Sequence, residues 1–373
     1  MDDRSELRRL AQQGRVVIKI GSGVLTDEQG RLDARVLRRL AQEIAPLTGV
    51  RRWPYIVSSG AIAVGMGVMG LKSRPRTMAG LQAAAAVGQS KLVEAWAGAF
   101  RRFDLSVAQI LLTHADLADR RRFLNARRAL GELQRQRALA IINENDTVSF
   151  EEIAFGDNDQ LAAMVSNLVD AHLMVMLSVA PGILDNNGER IGIKMATDPL
   201  LDDVARPGAS QFGSGGMRSK LQAARIACSR GAHVAIVGGR TPGVLTELLD
   251  GQDVGTVLCP GTAKLSSRAH WIAHIPRPSG RVIVDKGAAV AVQEQNKSLL
   301  PSGIAGVDGR FAEGDAIDVA TGIDAPPFAR GLTRYSADAI REIAGQPSSE
   351  IRNALGFSSG DEVIHRDDLV LLS

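Results

Sequence analysis

Six apolar runs punctuate the first 275 residues of the chain, at Arg15–Ile20, Tyr55–Val57, Ser106–Leu112, Ala138–Ile142, Leu173–Leu177 and His233–Val237. Continuous runs of this length, bounded by turn residues, suit strands buried inside a parallel sheet. Between them apolar residues recur at helical spacing over Asp33–Leu47, Leu81–Phe103, Arg120–Gln136, Asn158–Asp170 and Met217–Arg230. Strand alternating with helix predicts stacked βαβ units, hence an α/β fold with a mostly parallel open sheet sandwiched by helices. The pattern breaks at Pro276-Arg277-Pro278-Ser279-Gly280, which reads as a linker. Beyond it lie short β-like pieces, Arg281–Val284, Ala316–Val319 and Leu369–Leu372, and one helix at Ser336–Ala344. The expected organisation is a domain over 1–275, a linker over 276–280 and a small β-rich domain over 281–373.

Composition supports two domains, since 373 residues with 45% hydrophobic content exceed what one typical core needs. The N-terminus, Met1-Asp2-Asp3-Arg4-Ser5-Glu6, has no apolar signal region, and no uncharged apolar stretch reaches the roughly 18 residues of a membrane span. A cytoplasmic protein without membrane attachment is expected. Cys228 and Cys259 form no CxxC pair, and a disulfide is not expected in that compartment. His270 and His274 have an i, i+4 spacing but no following Glu and no third ligand nearby, so metal ligation is not expected there. The net charge of +3 is uneven: residues 276–373 carry 10 Lys+Arg against 14 Asp+Glu, a net of −4, which leaves +7 on the rest.

Candidate chemistry gathers at the ends of the predicted strands. Asn143 to Asp159 holds six carboxylates (Glu144, Asp146, Glu151, Glu152, Asp157, Asp159) and no Lys or Arg, directly after the run Ala138–Ile142. A loop leaving the carboxyl end of such a strand lies where open α/β sheets place ligands. Its clusters Asn143-Glu144-Asn145-Asp146 and Gly156-Asp157-Asn158-Asp159 offer a cation site together with donors and acceptors for a small polar substrate. Lys19 lies near the end of an apolar strand before the turn Gly21-Ser22-Gly23; a bound phosphate would offset the cost of its burial, and an edge lysine reaching water is the simpler alternative. Ser58-Ser59-Gly60-Ala61 suits an anion at a helix start, or a plain helix cap. Gly213-Ser214-Gly215-Gly216-Met217-Arg218-Ser219-Lys220 lets backbone N–H groups approach polyphosphate without matching the Walker A spacing, or is a surface loop with a solvated lysine.

Together with Ala86-Val87-Gly88-Gln89-Ser90 and Arg122-Phe123-Leu124-Asn125-Ala126, these segments make nearly the whole chain resemble the amino acid kinase family. The resemblance is greatest to its glutamate-phosphorylating branch, which acts on the side-chain carboxylate at the start of proline synthesis. The tail, with Trp271-Ile272, Arg334-Tyr335-Ser336 and His365-Arg366-Asp367-Asp368, is similar to a PUA domain. The resemblance implies ATP-dependent phosphorylation of L-glutamate to L-glutamyl 5-phosphate, with Mg²⁺ accompanying ATP. By carry-over, Ser59, Asp146, Asn158 and Asn143 bind glutamate, with Asp146 on its ammonium. Lys19 and Lys220 flank the transferred phosphoryl group, Asp159 orients them, and Asp157 assists or helps hold Mg²⁺. The nucleotide lies against Lys19, the strand end Ser178-Val179, and Ser214, Gly215, Gly216, Met217, Arg218, Ser219 and Lys220. Proline as feedback inhibitor, a homo-oligomer and glutamyl phosphate reductase as a partner also follow from the resemblance.

The chain departs from the family where Thr-Asp followed by Gly-Leu-Tyr is replaced by Ser178-Val179-Ala180-Pro181-Gly182-Ile183-Leu184, and Val179 cannot accept a hydrogen bond. Another carboxylate or carbamate kinase of the same fold is the alternative enzyme. An RNA-associated protein on a retired kinase fold is the alternative outside catalysis, disfavoured because both lysines and Asp146, Asp157 and Asp159 are kept. The basic stretch Arg120-Arg121-Arg122 with Arg127, Arg128, Arg135 and Arg137 reads as a solvated or subunit-facing helix, because aromatics are only 4% of the chain. The tail's net charge of −4 opposes a phosphate backbone, so RNA is not expected as a partner.

Overall fold

The computed structural model describes residues 3–27, 31–49, 52–148, 158–204, 216–261, 269, 272–273 and 278–372. The chain forms two compact units, Met1–Lys264 and Leu265–Ser373. Pro276 and Arg277 of the expected linker, and His270 and His274, lie outside the described residues.

The first unit is built on an eight-stranded sheet: β1 (Arg15–Ile20), β2 (Trp53–Ser58), β3 (Ser106–Leu112), β4 (Ala138–Glu144), β5 (Leu173–Ser178), β6 (Ile193–Met195), β7 (His233–Gly238) and β8 (Thr256–Cys259). The order is β3-β4-β2-β1-β5-β7-β8-β6, and every pairing is parallel except β7 with β8. The six expected strands are present. The two extra ones, β6 and β8, are three and four residues long, too short for a periodic signal to separate them from loop. β1, β2 and β5 are buried almost throughout, which is why they read as unbroken apolar runs.

Helix Asn158–Leu168 packs on β1, β2, β4 and β5 and meets helices Arg120–Arg135 and Met217–Cys228. Helix Ala61–Val68 packs on Met78–Phe100 at unusually close range. A Cβ on Gly65 would sit 1.7 Å from the Ala84 carbonyl oxygen, and one on Gly88 would sit 1.8 Å from that of Ala61. The two backbones therefore touch directly, and only glycine permits it. An N-terminal helix, Asp3–Gln13, was not expected from the polar start of the chain; it buries Leu7, Leu10 and Ala11, and Arg4 bonds the carbonyls of Gln252 and Val254 and pairs with Asp253.

The second unit has its own five-stranded sheet, β9 (Gly280–Val284), β10 (Ile304–Gly309), β11 (Ala316–Ala320), β12 (Ala329–Leu332) and β13 (Leu369–Leu371), in the order β10-β9-β11-β12-β13. Val282, Val319, Ile340, Val363 and Ile364 lie at the centre of its core. The helix expected near Ser336 runs Ala337–Ile343, with the Ser336 hydroxyl accepting from the Ala339 N–H.

Candidate active site

The chain moves from β1 to β2 on one side of the sheet and, after β4, crosses to β5 on the other side of β1. At such a switch point the helices leave in opposite directions and open a crevice beyond the carboxyl ends of the strands. Lys19 lies one residue before the end of β1, opposite Val57 of β2 and Met176 of β5. Asn143 and Glu144 end β4, and Ser178 ends β5.

One carboxylate organises the cations. Asp159, in the first turn of helix Asn158–Leu168, is fully buried; its Oδ1 is 2.6 Å from Lys19 Nζ and its Oδ2 is 3.0 Å from Lys220 Nζ. Burial alone would raise the Asp159 carboxyl, but the two lysines outweigh it and hold it below its ordinary value. Each lysine is only 8% exposed. Lys19 is therefore not the edge lysine reaching water that its sequence context allowed.

Beside this triad runs a chain of amides. Asn158 Nδ2 donates to Ser59 Oγ (2.8 Å) and to Asn143 Oδ1 (2.9 Å), and Asn143 Nδ2 donates to Gln89 Oε1 (2.8 Å). Ser59 is held by its N–H donating to the Ile20 carbonyl at 3.0 Å and by Gly60, whose φ of +110° turns the chain into helix Ala61–Val68. Trp96 Nε1 donates to the neighbouring Ser58 Oγ from inside the core.

Asp146 is not a link in that chain. It lines a cavity of about 250 Å³ with Ala85, Gln89, Gln109, Glu144 and Asn145 among its walls. Burial pushes its carboxyl up to about 6, against the pull of the Arg74 guanidinium. Lys220 and Met217-Arg218-Ser219 start helix Met217–Cys228, with Gly216 in extended geometry at its cap, so the unsatisfied N–H groups of a helix start adjoin the buried lysine. Asp157, Ser214 and Gly215 lie outside the described residues. Ser178 is buried, and its carbonyl accepts from the Gly239 N–H; Val179 is exposed, and a Cβ added at the turn glycine Gly23 would lie 3.4 Å from its Cγ2.

Sequence reading assigned no role to Gln89 or Glu144. The available signal was the position of Gln89 in Ala86-Val87-Gly88-Gln89-Ser90 and of Glu144 in the acidic loop after an apolar strand; both are more than nine-tenths buried in the fold.

Residues 14–238 match the amino acid kinase family and residues 280–355 match the PUA domain. The chain is 46% identical to the glutamate 5-kinase of Geobacter sulfurreducens over 370 residues, covering 97% of this chain and 99% of that one. It is 45% identical to the glutamate 5-kinase of Pseudomonas entomophila over 364 residues, covering 96% and 98%. Among solved structures, N-acetylglutamate synthase from Neisseria gonorrhoeae superposes with a TM-score of 0.50 at 16% identity, over 70% of this chain and 62% of that one, a likeness of fold.

Proposed function

The chain belongs to the glutamate 5-kinases of the amino acid kinase family, and from that premise we propose how its own residues carry the reaction. It transfers the γ-phosphoryl group of ATP to the side-chain carboxylate of L-glutamate, giving L-glutamyl 5-phosphate for proline synthesis. A carboxylate oxygen forms the new bond to phosphorus as the bond to the bridging oxygen of ADP breaks. The attacking group is ionised at neutral pH, so no general base is needed, and catalysis reduces to positioning and charge stabilisation.

The observation that carries this reading is the pair of buried ammonium groups, Lys19 and Lys220, held by one carboxylate. Two cations fixed in advance can stabilise charge on a phosphoryl group without reorganising. Asp159 acts as the residue that orients them. Ser59, Asn158 and Asn143 bind glutamate, and Asp146 meets its ammonium, a charge that amides and hydroxyls cannot neutralise. Lys19, Ser178, Val179 and the segment Ser214 to Lys220 hold the nucleotide, with N–H groups at the start of helix Met217–Cys228 suited to phosphate oxygens. The Val179 side chain offers no acceptor, so Val179→Asp should lower the ATP KM and leave the glutamate KM nearly unchanged.

Among the described residues no group of three or more His, Cys, Asp or Glu could hold a metal ion, and Asp159 is engaged by both lysines. Mg²⁺ is assigned to the phosphates of ATP, as is usual for this hydrated ion, with Asp157, which lies outside the described residues, assisting or helping to hold it. Free proline is read as an inhibitor competing with glutamate. A homo-oligomer, contact with glutamyl phosphate reductase and a cytoplasmic location complete the proposal. No helix among the described residues is long and apolar enough to cross a membrane.

The reaction is tested by incubating the full chain with ATP, Mg²⁺ and glutamate in hydroxylamine, which traps the acyl phosphate as a hydroxamate. Product from glutamate, with little from acetylglutamate, aspartate or carbamate, is expected. Product from another acid but none from glutamate would overturn the reading.

A further inference from the structure

The amide chain has a direction and an end. Asn158 donates to Asn143 and Asn143 donates to Gln89, so the Gln89 oxygen is used as an acceptor and its Nε2 remains a donor. Gln89 is 8% exposed, and Nε2 makes no hydrogen bond in the described structure. On the same cavity wall Glu144 is 9% exposed, and its Oε1 is likewise without a hydrogen bond. A buried donor and a buried acceptor left over beside one cavity are costly in the unliganded protein, and a ligand supplying the complementary groups would remove that cost. Two carboxylates, Glu144 and Asp146, line the cavity together with the unused Gln89 donor. A donor beside negative charge is what a zwitterion requires, since its carboxylate needs a donor and its ammonium a carboxylate.

We propose that Gln89 is a specificity-determining residue whose Nε2 receives the α-carboxylate of the amino-acid substrate, while Glu144 joins Asp146 in receiving the ammonium. This rests on the reading of the site as a glutamate site. Gln89 then does two things at once. Its nitrogen selects substrates carrying an α-carboxylate, and its oxygen sets the direction of the Asn143 and Asn158 amides that lead to Ser59. The cavity discriminates an amino acid from a simple acid or amine through the same hydrogen-bonded chain that ends beside the buried lysines.

The test separates the two ends of the substrate. Dissociation constants are measured by calorimetry on the full chain for glutamate, for 4-aminobutyrate, which lacks the α-carboxylate, and for glutarate, which lacks the ammonium. Gln89→Glu keeps an acceptor for Asn143 Nδ2 but removes the donor. It should weaken glutamate and glutarate at least about tenfold and change 4-aminobutyrate less than about threefold. Gln89→Met should lower the ratio of glutamate to 4-aminobutyrate affinity in the same sense, which covers instability of the first variant; melting temperature and ATP affinity are followed in both. Equal weakening of all three ligands, as expected if Nε2 merely serves Glu144, would overturn the proposal, as would an unchanged glutamate affinity. Wild-type protein that binds no glutamate would instead overturn the functional reading beneath it.

Discussion

At Asp159 two lysines share one buried carboxylate, and removing either leaves the other still paired. The loss should therefore fall on catalysis more than on folding. Lys19→Ala and Lys220→Ala are each expected to lower kcat by roughly 10²-fold or more, comparable to losing a preorganised donor, with a smaller change in glutamate KM. Steady-state kinetics check this, and near-normal kcat would assign that lysine a structural role. Asp146 makes a different prediction. Its carboxyl, raised to about 6 by burial, holds a proton more tightly in the folded chain than in the unfolded one. Its contribution to stability is thus fully present below the ordinary carboxylate range and is lost as pH rises through about 6. Binding runs the other way, because an ammonium prefers the ionised carboxylate. Glutamate KM should fall as pH rises through about 6, and Asp146→Asn should flatten that step while raising KM; a step of unchanged size in the variant would place the titrating group elsewhere. Residue type alone pointed to Lys19, Lys220 and the acidic loop, since a lysine in an apolar strand and a run of carboxylates with no Lys or Arg among them are chemically conspicuous. Gln89 was not conspicuous, because an amide in a helix acquires meaning only from its partner.

Elements place these side chains, and the contact between helices Ala61–Val68 and Met78–Phe100 is the tightest constraint on them. Gly88 precedes Gln89, and a Cβ there would collide with the Ala61 carbonyl. Gly88→Ala should cost about 1–3 kcal/mol as the helices part, and it should also raise glutamate KM by displacing Gln89. Gly131, in helix Arg120–Arg135, has nothing within 4 Å of an added Cβ, so Gly131→Ala should be neutral or stabilising by up to about 1 kcal/mol through helix propensity. Thermal melts of the pair, with glutamate titrations, check both; equal stability of the two variants would mean that the helices yield freely. The long strands and helices were legible because burial on both faces writes a continuous apolar run and burial on one face writes a 3.6-residue period. Strands β6 and β8 were not, being shorter than either signal needs. Helix Asp3–Gln13 was hidden by its polar residues and is held by tertiary contacts such as those of Arg4.

For the whole molecule, the proposed control by proline follows from chemistry shared with the substrate. Proline has an α-carboxylate and an ammonium-like nitrogen but no side-chain carboxylate to phosphorylate. Inhibition should weaken as glutamate rises at fixed ATP; absence of any effect at tens of times the glutamate concentration would show that this chain lacks the control. What the sequence by itself determined was the alternation of strand and helix, the β-rich second unit and the chemical type of the site, because each is written in residues near one another. That Asp159 joins Lys19 to Lys220, and that Asn158, Asn143 and Gln89 form one directed chain, was decided only by the tertiary structure. These partners lie far apart along the chain, and hydrogen-bond distances between them depend on sheet register and on helices packed glycine to backbone, which no local periodicity encodes.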